Sequence, residues 1–321
     1  MSTPSSGHTR SGSNASSKVP SQAKRKTAAD YPPEVMRLFD QYVHGLLERR
    51  GFLQSAAKYT AGIVAAEALL AELSPNFAHA QQVKGDDSRL LARHVEIPSP
   101  QGYGTVRGYL VQPVGASEAK AKLPTVLVVH ENRGLNPHIE DVARRLALEN
   151  FIAFAPDALF PLGGYPGDED KARELFPKLD QAKTRQDFLA AAAYLQALPQ
   201  GNGQLGAVGF CYGGSVSNFL ATQLPKLGAA VPFYGGQPSA EDAARIRAPL
   251  LLQYAANDER INAGWPAYEA ALKAAKVRYE AHTYPGTQHG FHNDTTPRYD
   301  AAAASLAWQR TVAFFNAHLR T

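Results

Sequence analysis

The motif Gly209-Phe210-Cys211-Tyr212-Gly213-Gly214 constrains this chain more than any other feature. It stands between an apolar run, residues 205–210, and a helical pattern over residues 215–224. A strand that turns this tightly into a helix leaves no room for a Cβ on the flanking positions, so Gly209 and Gly213 are required there. The apex residue is forced into strained geometry with its reactive atom exposed. The following helix points its N-terminus at the same place, which favours thiolate over thiol. Cys211 is the only cysteine in the chain, which excludes an intrachain disulfide framework and a Cys-rich zinc site. A lone cysteine is most often a packing residue; at the centre of this turn it reads as a nucleophile.

The surroundings of the motif follow one rhythm from Arg89 onward. Residues 93–97 and 105–112 read as an opening hairpin, with 98–104 as its loop. Residues 125–129 form a continuous apolar run, as a buried parallel strand should. Ile139, Val142, Ala143, Leu146 and Ala147 follow helical spacing. Further strands are expected at 151–155, 228–233, 250–254 and 279–284, with helices at 184–198, 266–276 and 300–319. Strand and helix alternating in this way predict an α/β fold, a mostly parallel central sheet with helices on both faces. In such a sheet the ligand site lies beyond the carboxyl ends of the strands.

Three further residues stand just after strands. Asp258 follows the run 250–254 and can orient an imidazole, or simply cap the next helix; Glu259 is its rival. His289 follows the last strand and precedes a glycine, with His292 as its rival. The order Cys211, Asp258, His289 is that of nucleophile, acid and base in α/β-hydrolases. Glu131, in His130-Glu131-Asn132-Arg133-Gly134-Leu135-Asn136, follows the strand whose loop supplies one oxyanion-hole N–H; the residue after the nucleophile, Tyr212, supplies the other. Spacing alone leaves Glu131 open, either a loop acid paired with Arg133 or a carboxylate that contacts the thiol. His130 and His138 read as local hydrogen-bonding groups, and no metal-ligand spacing is seen.

The front of the chain differs in character. Residues 1–28, rich in Ser, Thr, Gly and Asn, read as disordered, with a basic patch at Lys24-Arg25-Lys26. An amphipathic helix is expected over residues 33–47. Arg49-Arg50-Gly51-Phe52-Leu53 then precedes a mildly apolar run, residues 56–73, and the small-residue site Ala78-His79-Ala80. This order resembles a twin-arginine export signal, cut after Ala80 and directing the chain to the periplasm by the twin-arginine machinery. The alternative is a retained helical arm packed on the domain surface of a cytoplasmic protein. Lys58, Glu67 and Glu72 within the run argue against a stable membrane span. The chain thus divides at residue 80, with a catalytic domain from 81 to 321. Of 33 basic and 29 acidic side chains, 9 and 6 lie in the first part. The domain is nearly neutral, and a nucleic-acid partner is not expected.

Together these residues resemble the dienelactone hydrolase (carboxymethylenebutenolidase) family. Besides the two motifs already quoted, Ala155-Pro156-Asp157, Phe233-Tyr234-Gly235-Gly236, Asn257-Asp258 and Gln288-His289-Gly290-Phe291 carry the resemblance, which spans residues 101–319. It implies a Cys211–Asp258–His289 triad with Glu131 as a fourth member that holds the thiol, and backbone donors from Asn132 and Tyr212. It implies a cofactor-free hydrolase of small esters or lactones. A thioesterase, an acyl transferase or a non-catalytic thiol sensor are the alternatives. The family's two carboxylate-binding arginines have no counterpart in register: the corresponding places read Leu159-Phe160-Pro161-Leu162-Gly163-Gly164 and Asn293. Arg298 would have to reach in by a loop path. Uncharged esters are therefore expected to be turned over at least as well as carboxylated ones.

Overall fold

The structure is a computed structural model and describes residues 25–116 and 122–320. The tail expected to be disordered lies mostly outside the described residues. Among those described, the chain runs through helices α1 (Pro33–Val43), α2 (Arg49–Ala56), α3 (Ile63–Leu73) and α4 (Phe77–Ala80), then strands β1 (Leu90–Ser99), β2 (Gly104–Pro113) and β3 (Leu123–Val129). Next come α5 (Pro137–Leu148), β4 (Ile152–Pro156), α6 (Glu169–Leu175), α7 (Gln181–Gln196), β5 (Gly201–Phe210), α8 (Tyr212–Gln223) and β6 (Ala229–Phe233). The chain closes with α9 (Ala240–Ala243), β7 (Leu250–Asn257), α10 (Glu259–Asn262), α11 (Trp265–Ala274), β8 (Tyr279–Gln288) and α12 (Ala301–Leu319).

The strands form one sheet in the order β1-β2-β4-β3-β5-β6-β7-β8. The β1–β2 hairpin and the β2–β4 pair are antiparallel; every pair from β4 through β8 is parallel. This is the expected α/β-hydrolase-like sheet. Burial explains it. Val126 to Val129 are fully buried, and their side chains alternate between two apolar clusters, one on each face of the sheet. A strand covered on both faces must be apolar throughout, which is how β3 reads. Helices start where side chains can satisfy their free N–H groups: Asn136 accepts from Ile139 at 3.2 Å, and Asp300 from Ala303 at 2.9 Å. Each cap contributes about 1 kcal/mol.

Helix α6 has no forecast in the sequence, because among its seven residues only Ala172 is buried and no apolar stripe announces it. Helix α1 ends earlier than its pattern suggested. Gly45 takes φ 73°, a left-handed turn that stops the helix and leaves His44 at its end.

Residues 31–73 pack chiefly among themselves. Val35, Met36, Phe39, Tyr42, Phe52, Ala56, Ala66, Leu70 and Leu73 form a buried cluster distinct from the two that flank the sheet. Arg49 and Arg50 open α2, and Arg49 pairs with Asp170 of α6 at 2.8 Å. No helix among the described residues is long and apolar enough to cross a membrane. Just past Ala80, the backbone N–H groups of Gln82 and Val83 donate to the Asp141 carboxylate at 3.2 and 2.7 Å, which ties the start of the domain to α5.

Candidate active site

Strand β5 delivers Cys211 to the carboxyl edge of the sheet. Its backbone is at φ 56°, ψ −112°, a conformation that L-residues rarely adopt. The turn is tight because β5, α8 and β3 meet there. A Cβ at Gly209 would lie 2.0 Å from the Gly213 carbonyl oxygen, and one at Gly213 would lie 2.2 Å from that of Val129. Both elbow glycines are therefore steric requirements. Tyr212 is the first residue of α8, so its N–H has no partner within the helix and is free to meet an oxyanion.

Asp258 follows β7 directly. Its Oδ2 lies 2.5 Å from Nδ1 of His289, and its Oδ1 accepts from the Ile261 N–H at 3.4 Å. The two sequence readings of this aspartate are compatible in geometry: it contacts an imidazole and caps α10. Glu259 is exposed. Because the carboxylate only accepts, Nδ1 of His289 carries the proton and Nε2 is left with a lone pair. That Nε2 is buried and has no hydrogen-bond partner, and the imidazole brings a ring nitrogen within 4.8 Å of the thiol sulfur. Gly290 takes φ 85°, so the glycine after the histidine is conformational. His292 packs against Phe210 and Phe233, each with ring centroids 5.0 Å away, and burial holds it in the neutral form. It is a core residue. His130 bridges the Glu131 carbonyl and the Ala158 N–H, and His138 faces the Asp294 carboxylate at 3.1 Å.

Glu131 lines one cavity with Cys211, His289, Asn293 and Arg298. Its Oε2 accepts from Asn293 Nδ2 at 2.7 Å. The polar group hydrogen-bonded to the thiol is a different one, His44, whose Nε2 is 3.6 Å from the sulfur. Nothing local in the sequence marks His44; it comes from the end of α1, far from every other site residue in the chain. The Asn132 side chain and Arg133 both donate to the Val43 carbonyl, at 3.0 and 2.9 Å, and so hold the end of α1 over the site.

No arginine stands in register at the two places the family uses, but Arg298 does reach the site by a loop path. Arg298 lines the thiol cavity, is buried, and its Nε and Nη1 make no hydrogen bond; Nη1 lies 3.7 Å from the Asp40 carboxylate. Arg133 lines the same cavity. The path is the loop after β8, which turns back at Asn293 and closes with the Asp300 N–H on the Phe291 carbonyl. Spacing along a chain carries no information on such a reversal.

The electrostatics favour an ion pair. Burial pushes the Cys211 thiol up, but His289 and His44 more than reverse this and hold it down to about 5. Burial pushes His289 down, and the thiolate with Asp258 raises it to about 10. His44, Cys211 and His289 each offer one atom, all within 4.8 Å of one another, and are the group among the described residues that could hold a metal ion. Arg260 places its guanidinium 3.0 Å from Nε2 of His44. That fixed positive charge opposes a metal dication at the same nitrogen far more than it opposes a single proton balanced by the thiolate, and so suits a hydrogen-bonded cluster instead.

Comparison with known proteins gives a consistent picture. The model of the dienelactone hydrolase family matches residues 106–319, and one described as YqhI-like matches residues 23–58. A protein of Escherichia coli (strain K12) named as a carboxymethylenebutenolidase is 33% identical over 248 residues, covering 73% of this chain and 89% of its own. The hydrolase fragment YghX of the same organism is 55% identical over 113 residues, 35% of this chain and 94% of that one. The crystal structure of a Klebsiella pneumoniae protein described as a dienelactone hydrolase superposes with a TM-score of 0.62 at 31% identity, covering 70% of this chain and 98% of that one.

Proposed function

This chain belongs to the dienelactone hydrolase family, and we propose that it is a hydrolase of ester or lactone bonds in which Cys211 is the nucleophile. The observation that carries the reading is the 2.5 Å contact between Asp258 and Nδ1 of His289, which leaves a bare Nε2 facing a thiol at a strained turn. The thiolate attacks the carbonyl carbon, and the oxyanion is met by the N–H groups of Tyr212 and Asn132. His289 gives its proton to the leaving alkoxide. It then takes one from the water that cleaves the thioester, and the thiolate is restored. Glu131 stands beside this path and is held by Asn293. Incubation with a slowly hydrolysed activated ester is expected to leave one acyl group on Cys211 by mass spectrometry, and Cys211→Ala is expected to abolish both adduct and turnover. Turnover retained in Cys211→Ala would overturn the reading.

The substrate is proposed to carry a carboxylate close to its ester. Arg298 offers two nitrogens, Nε and Nη1, that make no hydrogen bond in the thiol cavity, with the Asp40 carboxylate 3.7 Å from Nη1, and a buried guanidinium gains most from an anion it can hydrogen-bond. For Arg298→Gln, kcat/KM on a carboxylated ester is expected to fall about 10- to 100-fold, as the loss of a charged hydrogen bond implies. The neutral methyl ester of the same compound should change far less. Equal losses on both would remove the carboxylate from this proposal.

A further inference from the structure

The cavity above the thiol holds about 30 Å³, room for about two water molecules. No ester fits there. What closes it is the N-terminal segment: Phe39, Val43 and His44 form its roof. Beside it a cavity of about 850 Å³ runs between α1 and the loops after β7 and β8, lined by Met36, Asp40 and Leu46 on one side and by Asp258, His289 and Arg298 on the other. The small and large spaces share His289 and Arg298.

Two observations show how the roof is built. Most of its buried apolar side chains pack in its own cluster, whereas over the site, Phe39 and Val43 aside, it meets the domain largely through polar contacts. Tyr42 and Arg49 both donate to Asp170, Asn132 and Arg133 hold the Val43 carbonyl, and Arg298 faces Asp40. Polar contacts can be exchanged for water at small net cost, so such a unit can lift without exposing a core. His44, in turn, is set up as His289 is. Its Nδ1 lies 2.8 Å from the Asp40 carbonyl and 3.2 Å from the Asp40 carboxylate, both acceptors, so the proton is on Nδ1 and the lone pair of Nε2 faces the sulfur.

We propose that residues 25–80 form a lid that is part of the active site, and that His44 within it is a second imidazole base on Cys211. The inference rests on the cysteine reading above. In the closed state the thiol proton leaves Sγ for Nε2 of either imidazole, His44 or His289, giving one thiolate and one imidazolium; no other bond changes. When substrate lifts the lid, His44 leaves the sulfur and the proton is held on Nε2 of His289, ready for the leaving group. Arg260, exposed at the rim, donates to Nε2 of His44 while that nitrogen is neutral and releases it on protonation. The charged groups facing His44 are Asp40, Cys211, His289 and Arg260; those around the thiol cavity are His44, His289, Glu131, Arg133, Glu169 and Arg298. The lid belongs to the enzyme only if it stays attached, which is the opposite of export with cleavage after Ala80.

The experiment is alkylation of the full chain by iodoacetamide against pH, with no ester present. In the wild type the rate should hold its plateau at neutral pH and fall as the pH is lowered, with a midpoint near pH 5, because the two imidazoles outweigh burial. His44→Gln keeps hydrogen-bonding capacity but cannot take the proton, and the midpoint should rise by about one pH unit or more. Asp170→Ala cuts the latch and leaves His44 intact. Its midpoint should stay, and its plateau rate should rise about tenfold, as loss of a charge-assisted contact shifts the open–closed balance. The intact mass of protein isolated from its own cells should include residues before Gln81. An unmoved midpoint in His44→Gln overturns the second base, and an unmoved plateau in Asp170→Ala, or a mature N-terminus at Gln81, overturns the lid. Turnover surviving in Cys211→Ala would defeat the cysteine-nucleophile reading instead, a failure distinct from an unmoved midpoint or an unmoved plateau in the alkylation series.

Discussion

Asp258→Asn is expected to lower kcat/KM by about 10⁴-fold, the loss that a wrong imidazole tautomer causes in a catalytic triad. The aspartate accepts from Nδ1 of His289 at 2.5 Å. An asparagine can turn its NH₂ toward that nitrogen, which then accepts and drives the proton to Nε2. A neutral imidazole protonated there cannot take a proton from thiol or water. The fold should survive, since the asparagine carbonyl can still accept from Ile261 and cap α10. A thermal midpoint close to wild type with turnover nearly lost is the expected pair of results. Alkylation of Cys211 should fall less than turnover, because His44 remains at the sulfur. A variant with turnover within tenfold of wild type would show that the 2.5 Å contact only holds a loop.

The second large effect is on stability. Gly209→Ala places a methyl group 2.0 Å from the Gly213 carbonyl oxygen, and 2.7 Å from Ser217 Oγ. The clash is with backbone on the first turn of α8, which cannot rotate away as a side chain does. Overpacking of this kind costs about 3 kcal/mol or more. In a domain of this size that is roughly a 10 °C drop in the melting midpoint. Calorimetry or circular dichroism on heating reads it directly. A midpoint within about 2 °C of wild type would mean that the turn relaxes freely, and the strain at Cys211 would lose its explanation.

Much of this molecule is legible along the chain. Strand β3 is recognisable because burial on both faces demands an unbroken apolar run. The elbow is recognisable because crossing backbones demand glycine at Gly209 and Gly213. Asp258 and His289 can be picked from their rivals because a strand end has a direction, and in the structure both stand at the carboxyl edge beside Cys211. Glu131 is harder. Its carboxylate lines the thiol's cavity, but its hydrogen bond is to Asn293, and only assembly brings that loop across the sheet.

The front of the chain shows the limit from the other side. Arg49-Arg50 followed by a mildly apolar run suits an export signal, and the same residues suit a helix that buries Phe52 and pairs Arg49 with Asp170. A local pattern is compatible with both, since each needs the same amphipathic, weakly apolar segment. The α/β sheet, the elbow and the set of residues at the strand ends can be read along the chain, because periodicity and steric need act within a few residues of one another. That His44 from the first helix meets the thiol, and that Arg298 turns back into the cavity, emerges only once the chain is packed. Those contacts join segments more than a hundred residues apart or reverse a loop, and they follow from how packed surfaces fit, a property that no stretch of the chain carries alone.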